Sequence, residues 1–189
     1  GYLSWNDQLS SYTVSMWVRA NDLNQIAYQA YFNNSSTPNQ GFQLDCNNNQ
    51  EYRLLSSNGS IILASLDLEW THVAVTSDGN STSAYFNGAL VETVNWTVTG
   101  WDQIVLGRNR STNEPGNYNI DEITIWNTEK TLEDIQALMN QGSEYNEEGL
   151  LIQWKANMGT GDLLFDHSGN ANHMTLYLSL IHISEPTRP

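Results

Sequence analysis

Along most of the chain, apolar residues recur at every second position in short runs broken by Asn, Gly, Asp and Ser. Thr13-Val-Ser-Met-Trp-Val-Arg19 sets Val14, Met16 and Val18 on one face, the pattern of a strand with one buried side. Runs at 41–45, 52–55 and 60–65 follow, separated by Asn- and Gly-bearing turns. Trp70-Thr-His-Val-Ala-Val-Thr76 is the clearest strand, with Val73 and Val75 on one side. Asn87-Gly88 predicts a two-residue hairpin turn between 83–86 and 89–93, because both residues accept positive φ. Runs at 104–106, 120–126 and 150–155 extend the series. The period changes once. Leu132, Ile135 and Met139 fall on one helical face with Leu138 beside them; Thr131 and Asp134 make a capping box, and Gly142 ends the run. Many short strands and a single helix argue against βαβ units and predict an all-β sandwich of two antiparallel sheets.

Composition narrows the partners. The 189 residues suit one domain. Seven Lys and Arg against 21 Asp and Glu give a net charge of −14, which excludes nucleic acid and anionic membrane surfaces and suits divalent cations or neutral glycans. A hydrophobic share of 39% is enough for a core, so the few charges do not mean disorder. No apolar run approaches the roughly 18 residues that read as a membrane span, so no membrane insertion is expected. Cys46 is the single cysteine, which excludes an internal disulfide.

Six landmarks in order carry a family resemblance: Tyr12 to Val18, Trp70-Thr-His-Val-Ala-Val-Thr-Ser-Asp-Gly79, Tyr85-Phe-Asn-Gly88, Ile104-Val-Leu-Gly107, Ile120-Asp-Glu-Ile-Thr-Ile-Trp126, and the short helix after them. Together with the closing segment from Gly149 to Leu176, they resemble the laminin-G-like branch of the concanavalin A-like lectin superfamily over nearly all of residues 1–177. The resemblance implies a two-sheet antiparallel jelly roll with one short helix. It also implies an extracellular setting, frequent calcium, and a place beside further domains of a surface protein or carbohydrate-active enzyme. The family strand that precedes Tyr2-Leu3 is expected to be missing, leaving a sheet edge unpaired. Ala171 and Met174 stand where the family has glycine, and Ala171 tolerates positive φ poorly. Residues 178–189, LSLIHISEPTRP, resemble a translated sequencing adapter and are expected to be a non-native or disordered tail.

The candidate chemistry concentrates near the end of the domain. Asp166, Asn170 and Asn172, folded back at Gly169, offer several oxygens of the kind a Ca2+ ion takes six to eight of. The resemblance adds Asp121 as a second carboxylate, so that calcium would tie the end of the chain to the sandwich. The alternative is a turn in which these side chains bond only to backbone. Asp121 and Glu122 are expected on opposite faces of a strand, so they cannot share a sugar as a hydrolase pair must. His72 alternates within its strand as a packed or hydrogen-bonded residue, and His167 and His173 alone are too few ligands for zinc. Tyr28, Tyr31, Phe32, Trp96 and Trp101 lie in Asn-rich surroundings. Tyr31, Trp96 and Trp101 are taken as ligand-binding rings, because an exposed ring flanked by amides stacks on a pyranose and bonds its hydroxyls. The function expected is a non-catalytic, secreted or cell-surface binding or adhesion module, for glycan or a surface protein, holding structural Ca2+. A ligand-free spacer and an accessory domain of a glycoside hydrolase are the alternatives.

Overall fold

The computed structural model describes residues 1–37, 40–98, 100–109, 115–144, 147–157 and 161–177. The tail at 178–189 lies outside them. Among the described residues fourteen strands and one helix follow in chain order: β1 (Tyr2–Ser4), β2 (Tyr12–Ala20), β3 (Ala30–Asn33), β4 (Phe42–Cys46), β5 (Glu51–Ser56), β6 (Gly59–Ser65), β7 (Thr71–Ser77), β8 (Thr82–Phe86), β9 (Ala89–Val94), β10 (Gln103–Leu106), β11 (Tyr118–Trp126), α1 (Leu132–Gln141), β12 (Leu150–Trp154), β13 (Leu163–Leu164) and β14 (Met174–Thr175). An eight-stranded sheet runs β13-β14-β1-β10-β3-β4-β5-β6 and a six-stranded sheet runs β12-β11-β2-β7-β8-β9. The recorded pairings are antiparallel.

The alternation read from the sequence is what packs the two layers. Val14, Met16 and Val18 of β2 and Val73 and Val75 of β7 face Phe42, Leu44 and Leu54 of the other sheet in one core. Tyr12 stacks on Phe42 and meets the Trp101 ring edge to face at 5.1 Å. The hairpin turn forms as predicted, with Asn87 at φ 49° and Gly88 at φ 71°. That turn also supports the helix, since the Gln136 amide donates to the Gly88 carbonyl at 3.0 Å. Helix α1 lies on the outer face of the six-stranded sheet, where Ile135 and Leu138 pack on Ala74 and Tyr85. Its capping box is present between Thr131 and Asp134.

One expectation about the edge is corrected. β1 pairs with β10 on one side and β14 on the other, so Tyr2–Ser4 is an interior strand of its sheet. The closing segment, through β14, supplies that second neighbour. Among the described residues no helix is long and apolar enough to cross a membrane.

Candidate functional site

The closing loop is a closed hydrogen-bonded turn. Asp166 Oδ1 accepts from the backbone N–H of Gln153 and of Ser168, both at 2.9 Å. Its Oδ2 accepts from Ser168 Oγ at 2.8 Å and from the N–H of Asn172 at 2.9 Å. The amide nitrogens of Asn170 and Asn172 donate to the carbonyls of Leu150 and Leu151 at 2.8 and 2.9 Å. The Trp154 indole donates to the Asn172 carbonyl at 2.9 Å. Ala171 takes φ 59°, the left-handed conformation its side chain resists, and these bonds hold it there. The loop therefore clamps the end of the chain onto β12 through backbone groups.

Asp121 does not join that loop. Trp154 pairs with Ile123 of β11 on one edge and with Asp166 on the other, so β12 runs between the two carboxylates. Two strand spacings put their backbones roughly 10 Å apart. Asp121 Oδ1 instead accepts from the N–H of Glu122 at 2.8 Å and of Ala156 at 3.2 Å. Among the described residues no three His, Cys, Asp or Glu side chains converge as a metal site. Asp166 spends both oxygens on N–H and O–H donors, so the four residues do not fit one Ca2+ ion. A chelator in excess is accordingly expected to move the melting temperature by less than about 1 °C, since the loop is closed by its own hydrogen bonds. A fall of several degrees in a thermal melt would restore the ion.

The expected geometry of Asp121 and Glu122 also changes. Ile120 and Ile123 both pack on the core, and a bulge between them carries both acidic residues away from it. Glu122 sits in that bulge at φ 50°, while Asp121 is buried against backbone amides. Strict alternation fails here because one extra residue is inserted into β11.

The aromatic residues sort by burial. Tyr31 and Trp101 are 0% exposed and belong to the core, so neither ring face is open to a ligand. Tyr31 packs edge to face on Tyr52 and Tyr118, which raises its hydroxyl pKa by desolvation first. Trp96 is partly buried and lies over Gly59, where a Cβ would come within 3.0 Å of its ring. Of the five rings in Asn-rich surroundings Tyr28 is the exposed one, at 48%, although Tyr31, Trp96 and Trp101 are the three expected to bind ligand.

Tyr28 is held rigidly. It adopts φ 70°, and its N–H donates to the Cys46 carbonyl at 2.9 Å. The Arg53 guanidinium of β5 lies 4.8 Å from its ring centroid. Arg53 is itself fixed by a two-point contact to Asp45 of β4, Nε to Oδ1 at 2.8 Å and Nη2 to Oδ2 at 2.9 Å. Gln43 adds a third bond to Asp45 Oδ2 at 2.7 Å. The loop carrying Tyr28 is bonded to the β4–β5 loop by a reciprocal pair: Gln50 Oε1 accepts from Gln25 N–H, and Gln50 Nε2 donates to the Gln25 carbonyl, each at 2.9 Å. Exposed Asn24, Asn48 and Asn49 flank the ring's loops. The result is an exposed ring held by Arg53 on the outer face of the eight-stranded sheet, on a loop bonded to one that carries exposed amides. The Asn-rich surroundings mark Tyr28 together with four other rings, and what singles it out, its φ and its Arg53 partner, comes from the fold.

Residues 2–136 match Laminin_G_3, the concanavalin A-like lectin/glucanases superfamily, and the chain belongs to this family. Solved structures share the fold. A candidate carbohydrate binding protein from Bacteroides ovatus superposes with TM-score 0.73 at 18% identity, over 94% of this chain and 58% of that one. Domain 4 of AbnA, a GH43 extracellular arabinanase from Geobacillus stearothermophilus in complex with arabinotriose, gives TM-score 0.57 at 20% identity over 71% and 68%. The heptameric SAP-like pentraxin from Limulus polyphemus gives 0.55 at 14% over 74% and 75%. The chain thus spans little more than half of the Bacteroides protein's length. No curated protein matches the sequence.

Proposed function

We propose that this chain is a non-catalytic carbohydrate-binding module of an extracellular or cell-surface protein, and that it takes glycan on the Tyr28 platform. The observation that carries the reading is an exposed ring clamped by Arg53 and set among amide-rich loops. Stacking of a sugar's apolar face on such a ring needs no reorganisation, and the neighbouring amides supply donors and acceptors for its hydroxyls. The likeness to a candidate carbohydrate binding protein and to an arabinanase domain solved with arabinotriose supports a glycan as the ligand class. A hydrolytic role needs two carboxylates facing one sugar, whereas Asp121 is buried and bonded to backbone amides beside Glu122.

A glycan array probed with the chain and with Tyr28→Ala tests this. Specific binding is expected for the native chain, and loss of the central ring should weaken it about tenfold or more, as truncation of an aromatic anchor does. Tyr28→Phe keeps the ring and most of the binding. Unchanged binding by Tyr28→Ala would move the site elsewhere, and no binding by the native chain would favour a spacer domain.

A further inference from the structure

Three segments of the chain meet at Gln50. Its side chain grips the Tyr28 loop through the reciprocal pair with Gln25, both bonds at 2.9 Å. Its carbonyl accepts from the N–H of Leu66 at 2.8 Å, and Leu66 is buried in the core. Its own N–H donates to the Asn47 carbonyl at 3.2 Å, closing a turn with Asn48 and Asn49 at its tip. That turn is firm, because Asn47 Oδ1 accepts from the N–H of Asn49 at 2.9 Å and of Glu51 at 3.1 Å. The side chains of Asn48 and Asn49 are exposed and make no hydrogen bond among the described residues, so their amides are open to a ligand. The Tyr28 backbone adjoins the start of the same turn, through its N–H bond to the Cys46 carbonyl.

Gln50 occupies this place against its own conformational preference. Its φ of 59° is left-handed, which glycine takes without strain and a side chain resists. Core packing does not demand the side chain, since Gln50 is only half-buried. What the side chain supplies is the pair of bonds to Gln25. Gln25 passes the constraint on: it is buried, its amide donates to the Asp22 carbonyl at 2.7 Å, and the turn from Ile26 to Gln29 follows it directly. That turn is closed twice, by Gln29 N–H to the Ile26 carbonyl at 3.1 Å and by Ile26 N–H to Gln29 Oε1 at 3.0 Å. Tyr28 sits inside it. A strained residue whose side chain bonds across to the ring-bearing loop points to a positioning role.

We propose that Gln50 is the positioning residue of the glycan site, fixing the Tyr28 loop against the turn that carries Asn48 and Asn49. A glycan then meets the ring and the amides at one preset separation, with neither loop left to order on binding. This role rests on the carbohydrate-binding reading above.

Gln50→Gly tests it, because the variant removes the side-chain bonds while relieving the left-handed strain. Its melting temperature is expected within a few degrees of the native chain's. Calorimetry with the glycan bound most tightly on the array should show affinity about tenfold weaker. Amide exchange without glycan should quicken at Gln25 and Tyr28 and stay unchanged in β2 and β7. Gln50→Glu keeps an acceptor for the Gln25 N–H but loses the donor to its carbonyl, and should also weaken binding. Tyr28→Ala and the double variant Gln50→Gly/Tyr28→Ala should bind equally, since Gln50 acts through the ring's loop. Native affinity in Gln50→Gly, or a double variant weaker than Tyr28→Ala by the full tenfold, would overturn the role and leave the Tyr28 reading standing. Absence of glycan binding by the native chain would overturn both.

Discussion

Asp166→Ala is expected to destabilise the fold by about 3–5 kcal/mol, the largest single-site effect outside the hydrophobic core. The substitution strands three backbone N–H groups, those of Gln153, Ser168 and Asn172, while the Ser168 hydroxyl keeps the Leu151 carbonyl as acceptor at 3.0 Å. A buried donor left unsatisfied costs about 1–3 kcal/mol, and water entering the emptied space offsets part of the sum. The damage spreads along the clamp. The Gln153 and Ser168 amides meet on the same carboxylate oxygen, so its loss loosens the closing segment from β12. β14 would then hold β1 less firmly. Asp166→Asn keeps one acceptor oxygen and should lose about half as much. Urea denaturation of the two variants measures this. A loss below about 1 kcal/mol for Asp166→Ala would mean that the loop is solvated rather than a clamp.

The second large effect is a fall in stability as pH drops from 6.5 to about 4, centred on His72. Burial lowers its pKa from 6.5 to about 4 in the folded state. Between those values the unfolded chain binds the proton and the folded chain does not, so acid favours unfolding. A shift of that size corresponds to roughly 3 kcal/mol, present in full above pH 6.5 and gone below about pH 4. At 1% exposure His72 has little solvent to reduce the effect. Asp134, held below its usual value by the Thr131 N–H, acts with the same sign but only at lower pH. His72→Gln should flatten the slope between pH 6.5 and 4 while losing some stability at pH 7. A slope in that window unchanged by the substitution would contradict the assignment.

The strands that alternate were legible, because a half-buried strand writes its face directly into the sequence. β2, β7, the Asn87-Gly88 hairpin and the capped helix stand where the pattern put them. β3 was not legible: a bulge between Ala30 and Phe32 turns both Tyr31 and Phe32 inward, which breaks the period. β1, β13 and β14 are two or three residues long, too short to show a period at all. For the closing loop the sequence left two readings, a Ca2+ loop and a turn bonded to backbone. What the oxygens meet, the N–H groups of β12 and of the loop itself, depends on pairing across the sheet. The bulge at Glu122 and the exposure of Tyr28 share this character. Each is set by partners far away in sequence, Trp17 on β2 for one and Arg53 on β5 for the other.

Recognition of a sugar on the outer face of the eight-stranded sheet should leave a binding footprint there. Amide hydrogen exchange should be recorded with and without an oligosaccharide selected on the array. Slowed exchange is expected only in the loops at 21–29 and 47–50. Protection located on β9 or on the closing loop at 166–173, with those two loops unchanged, would contradict it.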